Sequence, residues 1–173
     1  METSRRSFLK AGALAALVLA AGGGAYRFTH PPAPRGFVLD GEARNALHAI
    51  VPAVLAGALP AEPAARAQAI RSATERLNQT ILGLPLATQQ EVQDLFGLLA
   101  LGPARRLLTG IPHGWAEAKE HEVNAWLQDW RTHRLALLRT AYQALHDLVL
   151  GSWYSDAANW AAIGYPGPLK ELA

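Results

Sequence analysis

A chain of 173 residues is long enough for one domain with a modest core, and half of its residues are hydrophobic, with Ala and Leu foremost, a composition that favours helices. Of the 16 Lys and Arg and 14 Asp and Glu, Arg5, Arg6, Lys10 and Glu2 fall in the first 25 residues and account for the formal charge of +2; the rest cancel, 13 against 13, leaving no cationic excess for nucleic acid. The absence of cysteine excludes disulfides, thiol nucleophiles, Cys-held iron–sulfur clusters and c-type haem attachment.

The first motif is Ser4-Arg5-Arg6-Ser7-Phe8-Leu9-Lys10, followed by the apolar run Ala11 to Ala21. A basic start followed by an apolar stretch is the plan of a secretory signal. The run is shorter than the roughly 20 residues of a membrane-spanning helix, and its Ala and Gly make it only mildly hydrophobic. Together with the paired arginines this reads as a twin-arginine export signal. Gly23-Gly24-Ala25 places small residues where cleavage is expected. Residues 1–25 are therefore read as a signal, either cleaved near Ala25 or retained as an anchor. Residues 26–39 are read as a linker stiffened by Pro31, Pro32 and Pro34. The expected destination is the periplasm, reached in the folded state through the twin-arginine translocation machinery, with association at the inner membrane as a further expectation.

From Asp40 onward the pattern is helical. Asp40 suits an N-cap, with Glu42 in the first turn. Ala46, Leu47, Ile50 and Val51 continue the helix until Pro52, which should kink or end it. Pro63 opens a second helix whose Ile70, Ala73, Leu77, Ile81 and Leu84 recur at helical spacing. Thr88 and Glu91 have the spacing of a capping box ahead of Val92, Leu95, Phe96 and Leu99. Gly102-Pro103 opens a short segment, Ala104 to Thr109. A further helix is expected from Trp115 to Trp130. Leu135, Leu138, Tyr142, Leu145 and Val149 step by three and four along the last helix. No strand pattern competes. Residues 40–173 are thus expected to form an all-α domain, an irregular bundle of four or five helices following an N-terminal signal helix.

Chemistry is sparse. His113, Glu117 and His121 are spaced by four, and on one helical face they would offer ligands to a metal. That makes an independent periplasmic metal-dependent enzyme one alternative, and a membrane-anchored structural protein another. Against the first, Gly114 follows His113, and His121-Glu122 lacks the second histidine of H-E-x-x-H. No G-x-S-x-G is present, and Gly22-Gly23-Gly24 belongs to the signal, not to a phosphate loop.

The C-terminal stretch differs from the rest. Between Gly151 and Pro168 lie Trp153, Tyr154, Trp160 and Tyr165, out of 5 Trp and 4 Tyr in the chain. Asp156 is placed to cap a short turn over Ala157 to Ala162, and Pro166-Gly167-Pro168 turns the exit. Trp and Tyr with an apolar body and a polar tip suit protein interfaces, and suit equally the pinning of a tail onto a bundle.

The twin-arginine signal, the small helical domain and the ending Trp153-Tyr154-Ser155-Asp156 … Trp160 … Ile163-Gly164-Tyr165-Pro166-Gly167-Pro168 resemble gluconate 2-dehydrogenase subunit 3, the small (gamma) subunit of membrane-associated FAD-dependent dehydrogenases. The resemblance implies a chain that is not an enzyme by itself and carries no cofactor or metal. Its partner would be a large subunit holding FAD and oxidising a sugar, sugar acid or alcohol, often with a cytochrome c subunit taking the electrons. Arg5 and Arg6 would then export both proteins, and Trp153, Tyr154, Trp160, Tyr165 and Pro166 would be the docking candidates.

Overall fold

The computed structural model describes residues 36–167. The stretch Ser4–Lys10 read as an export signal, the apolar run, all but the last residues of the expected linker and residues 168–173 lie outside the described residues. Within them all regular structure is helical: α1 (Gly41–Val54), α2 (Pro63–Leu82), α3 (Leu86–Ala100), α4 (Gly102–Thr109), α5 (Glu120–Thr132) and α6 (Ala136–Tyr154), with short 3-10 turns at Trp115–Glu117, Ala157–Asn159 and Ala161–Ile163. The all-α class therefore holds. The stretch expected as a short segment before Thr109 is a helix of 8 residues. Among the described residues no helix is long and apolar enough to cross a membrane.

The bundle is built around α1. Asp40 caps it as expected, its Oδ1 accepting from the Ala43 amide at 2.7 Å. Ala43, Ala46, Leu47, Ile50 and Val51 are buried to 2% exposure or less, and α1 packs against α2, α3, α5, α6 and the Trp115 turn. A helix surrounded on several sides must be apolar around much of its circumference, and its alanines let neighbours approach closely. Pro52 falls in the last turn, so the helix runs only to Val54 beyond it. Leu55 and Leu59 remain buried in the turn that follows.

One titratable group on α1 ties stability to pH. Partial burial lowers the pKa of His48 below its ordinary 6.5, and the nearby Arg44 and Arg71 lower it further. The unfolded chain then binds a proton on His48 at a pH where the folded chain does not, so its contribution is fully present above about 6.5 and is lost as pH falls through the folded value. The unfolding midpoint is expected to decline as pH drops below about 6.5, and His48→Gln should flatten that part of the curve. Parallel curves for the two proteins would refute this origin.

Several boundaries differ from the sequence pattern. The second helix stops at Leu82 with Gly83 as its C-cap, so Leu84 lies in the connection. The third helix begins at Leu86, not at a Thr88 capping box: Pro85, with φ −53°, takes the N-cap position and sets the first turn early. Gln89 seals that junction, its amide donating to the Leu82 and Leu84 carbonyls and its oxygen accepting from the Phe37 amide. The expected helix from Trp115 to Trp130 is interrupted. A 3-10 turn covers Trp115–Glu117, and α5 starts only at Glu120. The Glu122 carboxylate folds back to accept from the Lys119 amide at 2.9 Å, fixing the new start and holding Glu122 below the usual carboxylate range, helped by His113. On the last helix, Leu145 and Val149 are buried and Leu138 and Tyr142 are half-buried, but Leu135 is the N-cap and lies 55% exposed, because this end of α6 overhangs the bundle.

Candidate functional site

Tryptophan indoles close three helix C-termini. The last carbonyls of a helix have no intrahelical donor and need partners from elsewhere. Trp115 Nε1 donates to Leu99 O in the last turn of α3 at 2.9 Å. Trp130 Nε1 donates to Leu108 O in the last turn of α4 at 2.9 Å. Trp160 Nε1 donates to Tyr154 O, the last carbonyl of α6, at 2.7 Å. Trp126 lies between the first two indoles, with ring centroids 5.3 Å from Trp115 and 5.0 Å from Trp130.

The C-terminal tail is a hook folded back on α6. Its first turns satisfy every terminal carbonyl of that helix. Gly151 O accepts from the Ser155 amide, Ser152 O from Ser155 Oγ, Trp153 O from Asn159 Nδ2 and Tyr154 O from Trp160 Nε1. Asp156 caps the turn Ala157–Asn159 as expected, accepting from the Ala158 amide at 3.0 Å. Its other oxygen pairs with Arg76 Nη2 at 2.5 Å, tying the hook to α2. Gly164 (φ 70°) reverses the chain through a left-handed conformation, and the Tyr165 ring meets Trp160 edge-on at 5.2 Å. Gly167 (φ 95°) passes so close that an added Cβ would sit 3.4 Å from the Trp160 ring.

The five residues expected to dock a partner therefore take different places. Trp153 is buried in the core at 6% exposure, so its indole is not presented to a partner. Tyr154 and Trp160 are half-buried, and Trp160 is engaged in the helix cap. Tyr165 and Pro166 are exposed, and Ile163, 55% exposed, lies between Trp160 and Tyr165 in the same hook. Ile163 was not singled out by sequence, because a lone aliphatic among aromatics carries no signal until its exposure is known. The hook thus combines a structural half, which closes α6, with an outward apolar half.

The spacing by four of His113, Glu117 and His121 does not become one helical face. Glu117 belongs to the 3-10 turn, and the break before Glu120 separates it from His121. His113 Nε2 instead lies 3.3 Å from Glu122 Oε1. Among the described residues no three His, Asp or Glu side chains come together as a metal would require.

A shallow cleft of about 450 Å³ runs between α4 and α5, lined by Leu107, Ile111, Trp126 and the carboxylates Glu122 and Asp129 among others. Trp126 is 3% exposed, and its Nε1 has no hydrogen-bond partner. This contrasts with Trp115 and Trp130. Trp126→Phe removes a donor that nothing accepts, whereas Trp115→Phe leaves Leu99 O without its donor. The first variant should be the more stable by about 1–3 kcal/mol in chemical denaturation. Equal losses would show that Trp126 Nε1 has a partner in solution.

No family model, no curated protein and no solved structure matches this chain.

Proposed function

We propose that this chain is the non-catalytic small subunit of a periplasmic FAD-dependent, GMC-type sugar or alcohol dehydrogenase, of the gluconate 2-dehydrogenase subunit 3 kind. Its role is to be folding partner and twin-arginine export escort of the catalytic subunit. The observation that carries this reading is the Ser4–Lys10 stretch ahead of a neutral, cysteine-free domain without a nucleotide or haem motif. A route for folded cargo makes most sense when something must acquire its cofactor before export. Here that cargo is the FAD-bearing large subunit, with a cytochrome c subunit as its electron acceptor.

The hook supports the reading as the docking element. Tyr165, Pro166 and Ile163 offer an outward apolar edge on a base held by the cap of α6 and the Arg76–Asp156 pair. A surface already ordered loses little conformational freedom on binding.

The direct test is co-expression with a tagged large FAD-dependent subunit. The chain should co-purify with it; Ile163→Ala should lower recovery without changing the unfolding midpoint of the isolated chain, and adding Tyr165→Ala should lower recovery further, at a small cost in stability from the lost ring contact with Trp160. Failure of the unaltered chain to co-purify with any such subunit encoded beside it would end the proposal.

A further inference from the structure

The corner between α5 and α6 carries a combination that neither the core nor the hook explains. From Arg131 to Arg139 the chain reads Arg131-Thr132-His133-Arg134-Leu135-Ala136-Leu137-Leu138-Arg139, with no carboxylate; the next along the chain are Asp129 and Asp147. Arg131, Arg134, Leu135, Leu137 and Arg139 are all exposed, Leu137 to 73% and Leu135 to 55%. Arg139 Nη1 donates to the carbonyls of His133 and Arg134, bracing the corner. Among the described residues, none of the three guanidiniums has a carboxylate within ion-pair distance.

We propose that this corner, with Leu135 and Leu137 as an apolar wedge and Arg131, Arg134 and Arg139 around it, is a peripheral contact with an anionic phospholipid bilayer. Three observations favour a bilayer over a protein partner. The first is charge: arginines without a carboxylate partner complement anionic headgroups, and the exposed leucines reach the acyl boundary. The second is size. A stable protein interface takes about 800 Å² and 20–30 residues on each side, whereas a bilayer accepts a wedge of a few side chains. The third is local. Leu135 stands at the N-cap of α6 and supplies no cap hydrogen bond, although Ser, Thr, Asp or Asn there would stabilise the helix. A leucine there forgoes a stabilising cap and leaves its side chain open to a contact outside the fold. This contact does not depend on the escort reading.

Flotation of the full chain with phosphatidylcholine vesicles, with and without phosphatidylglycerol, tests it. The apolar run Ala11 to Ala21 is common to all variants, so differences report on the corner. Arg131→Gln with Arg134→Gln should lower partition into anionic vesicles about thirtyfold, from about 1 kcal/mol for each arginine at the surface, with little change on neutral vesicles. Leu135→Ser with Leu137→Ser should lower partition on both kinds of vesicle by about tenfold or more, while the new serine at the N-cap keeps or raises the unfolding midpoint. That pairing separates loss of contact from loss of fold. Unchanged anionic partition in the arginine variant would overturn the proposal. So would a leucine variant that binds as well as the original, since the contact would then be charge alone. If the arginine variant instead loses co-purification with the large subunit and keeps its vesicle binding, the corner is a protein interface and the bilayer proposal is wrong.

Discussion

Trp130→Ala is expected to lower the unfolding free energy by about 3–5 kcal/mol, and Trp115→Ala by a similar amount. Both side chains are almost completely buried, at 1% and 2% exposure, so truncation opens a cavity in the core. Each also removes the donor to a helix-terminal carbonyl, Leu108 O or Leu99 O. Leaving a buried acceptor unpaired costs about 1–3 kcal/mol, so the phenylalanine variants, which keep most of the volume, isolate this part. Because the Trp126 ring touches both indoles, tilted on Trp115 and edge-on to Trp130, the double alanine variant should depart from additivity. Against a typical domain stability of about 5–15 kcal/mol, either alanine variant approaches the point where the folded state is no longer dominant at physiological temperature. Urea unfolding followed by helical circular dichroism measures the loss as a shift in midpoint at constant slope. A loss under about 1 kcal/mol would mean that these indoles do not close the helix ends in solution.

If the chain escorts a dehydrogenase as proposed, Arg5→Lys with Arg6→Lys is expected to leave nearly all of the partner's activity in the cytoplasmic fraction. The change preserves charge, so it tests recognition of the planar guanidinium fork and not a general requirement for basic residues. Both positions lie outside residues 36–167, and the unfolding midpoint of the domain should be unaffected. Activity is to be measured with an artificial electron acceptor in separated periplasmic and cytoplasmic fractions, with total activity held as the control for FAD loading. Normal periplasmic activity in the double variant would remove the escort role while leaving open whether the two chains associate. Co-purification answers that separately.

Helix type and order could be read from the chain because the physics there is local. Apolar residues at steps of three and four put Leu77 with Ile81 and Leu145 with Val149 on single faces, and Asp40, Pro63 and Asp156 announce starts through their own side chains. The misplaced boundaries share a cause. Thr88 has the spacing of a capping box, but Pro85 sets the turn first and Gln89, bonded to Leu82, Leu84 and Phe37, locks it. The helix expected from Trp115 breaks because the Glu122 carboxylate competes for the Lys119 amide, which also undoes the apparent face shared by His113, Glu117 and His121. In both places a side-chain hydrogen bond outweighed a weak propensity.

The sequence by itself determined the all-α class, the order of the helices, the neutral charge of everything after residue 25 and the presence of the Arg5-Arg6 motif, since each depends on composition or on neighbours a few residues away. Only the tertiary structure decided what the tryptophans do. Trp115, Trp130 and Trp160 close the ends of α3, α4 and α6, Trp153 enters the core, and only the far edge of the aromatic tail, with Ile163, Tyr165 and Pro166, faces outward. It likewise showed that Leu135, which matches the buried stripe of α6 in sequence, stands exposed, as does Leu137, in a stretch whose arginines have no carboxylate partner among the described residues. Periodicity tells which residues share a face of a helix, but whether that face is covered depends on where the neighbouring helices end.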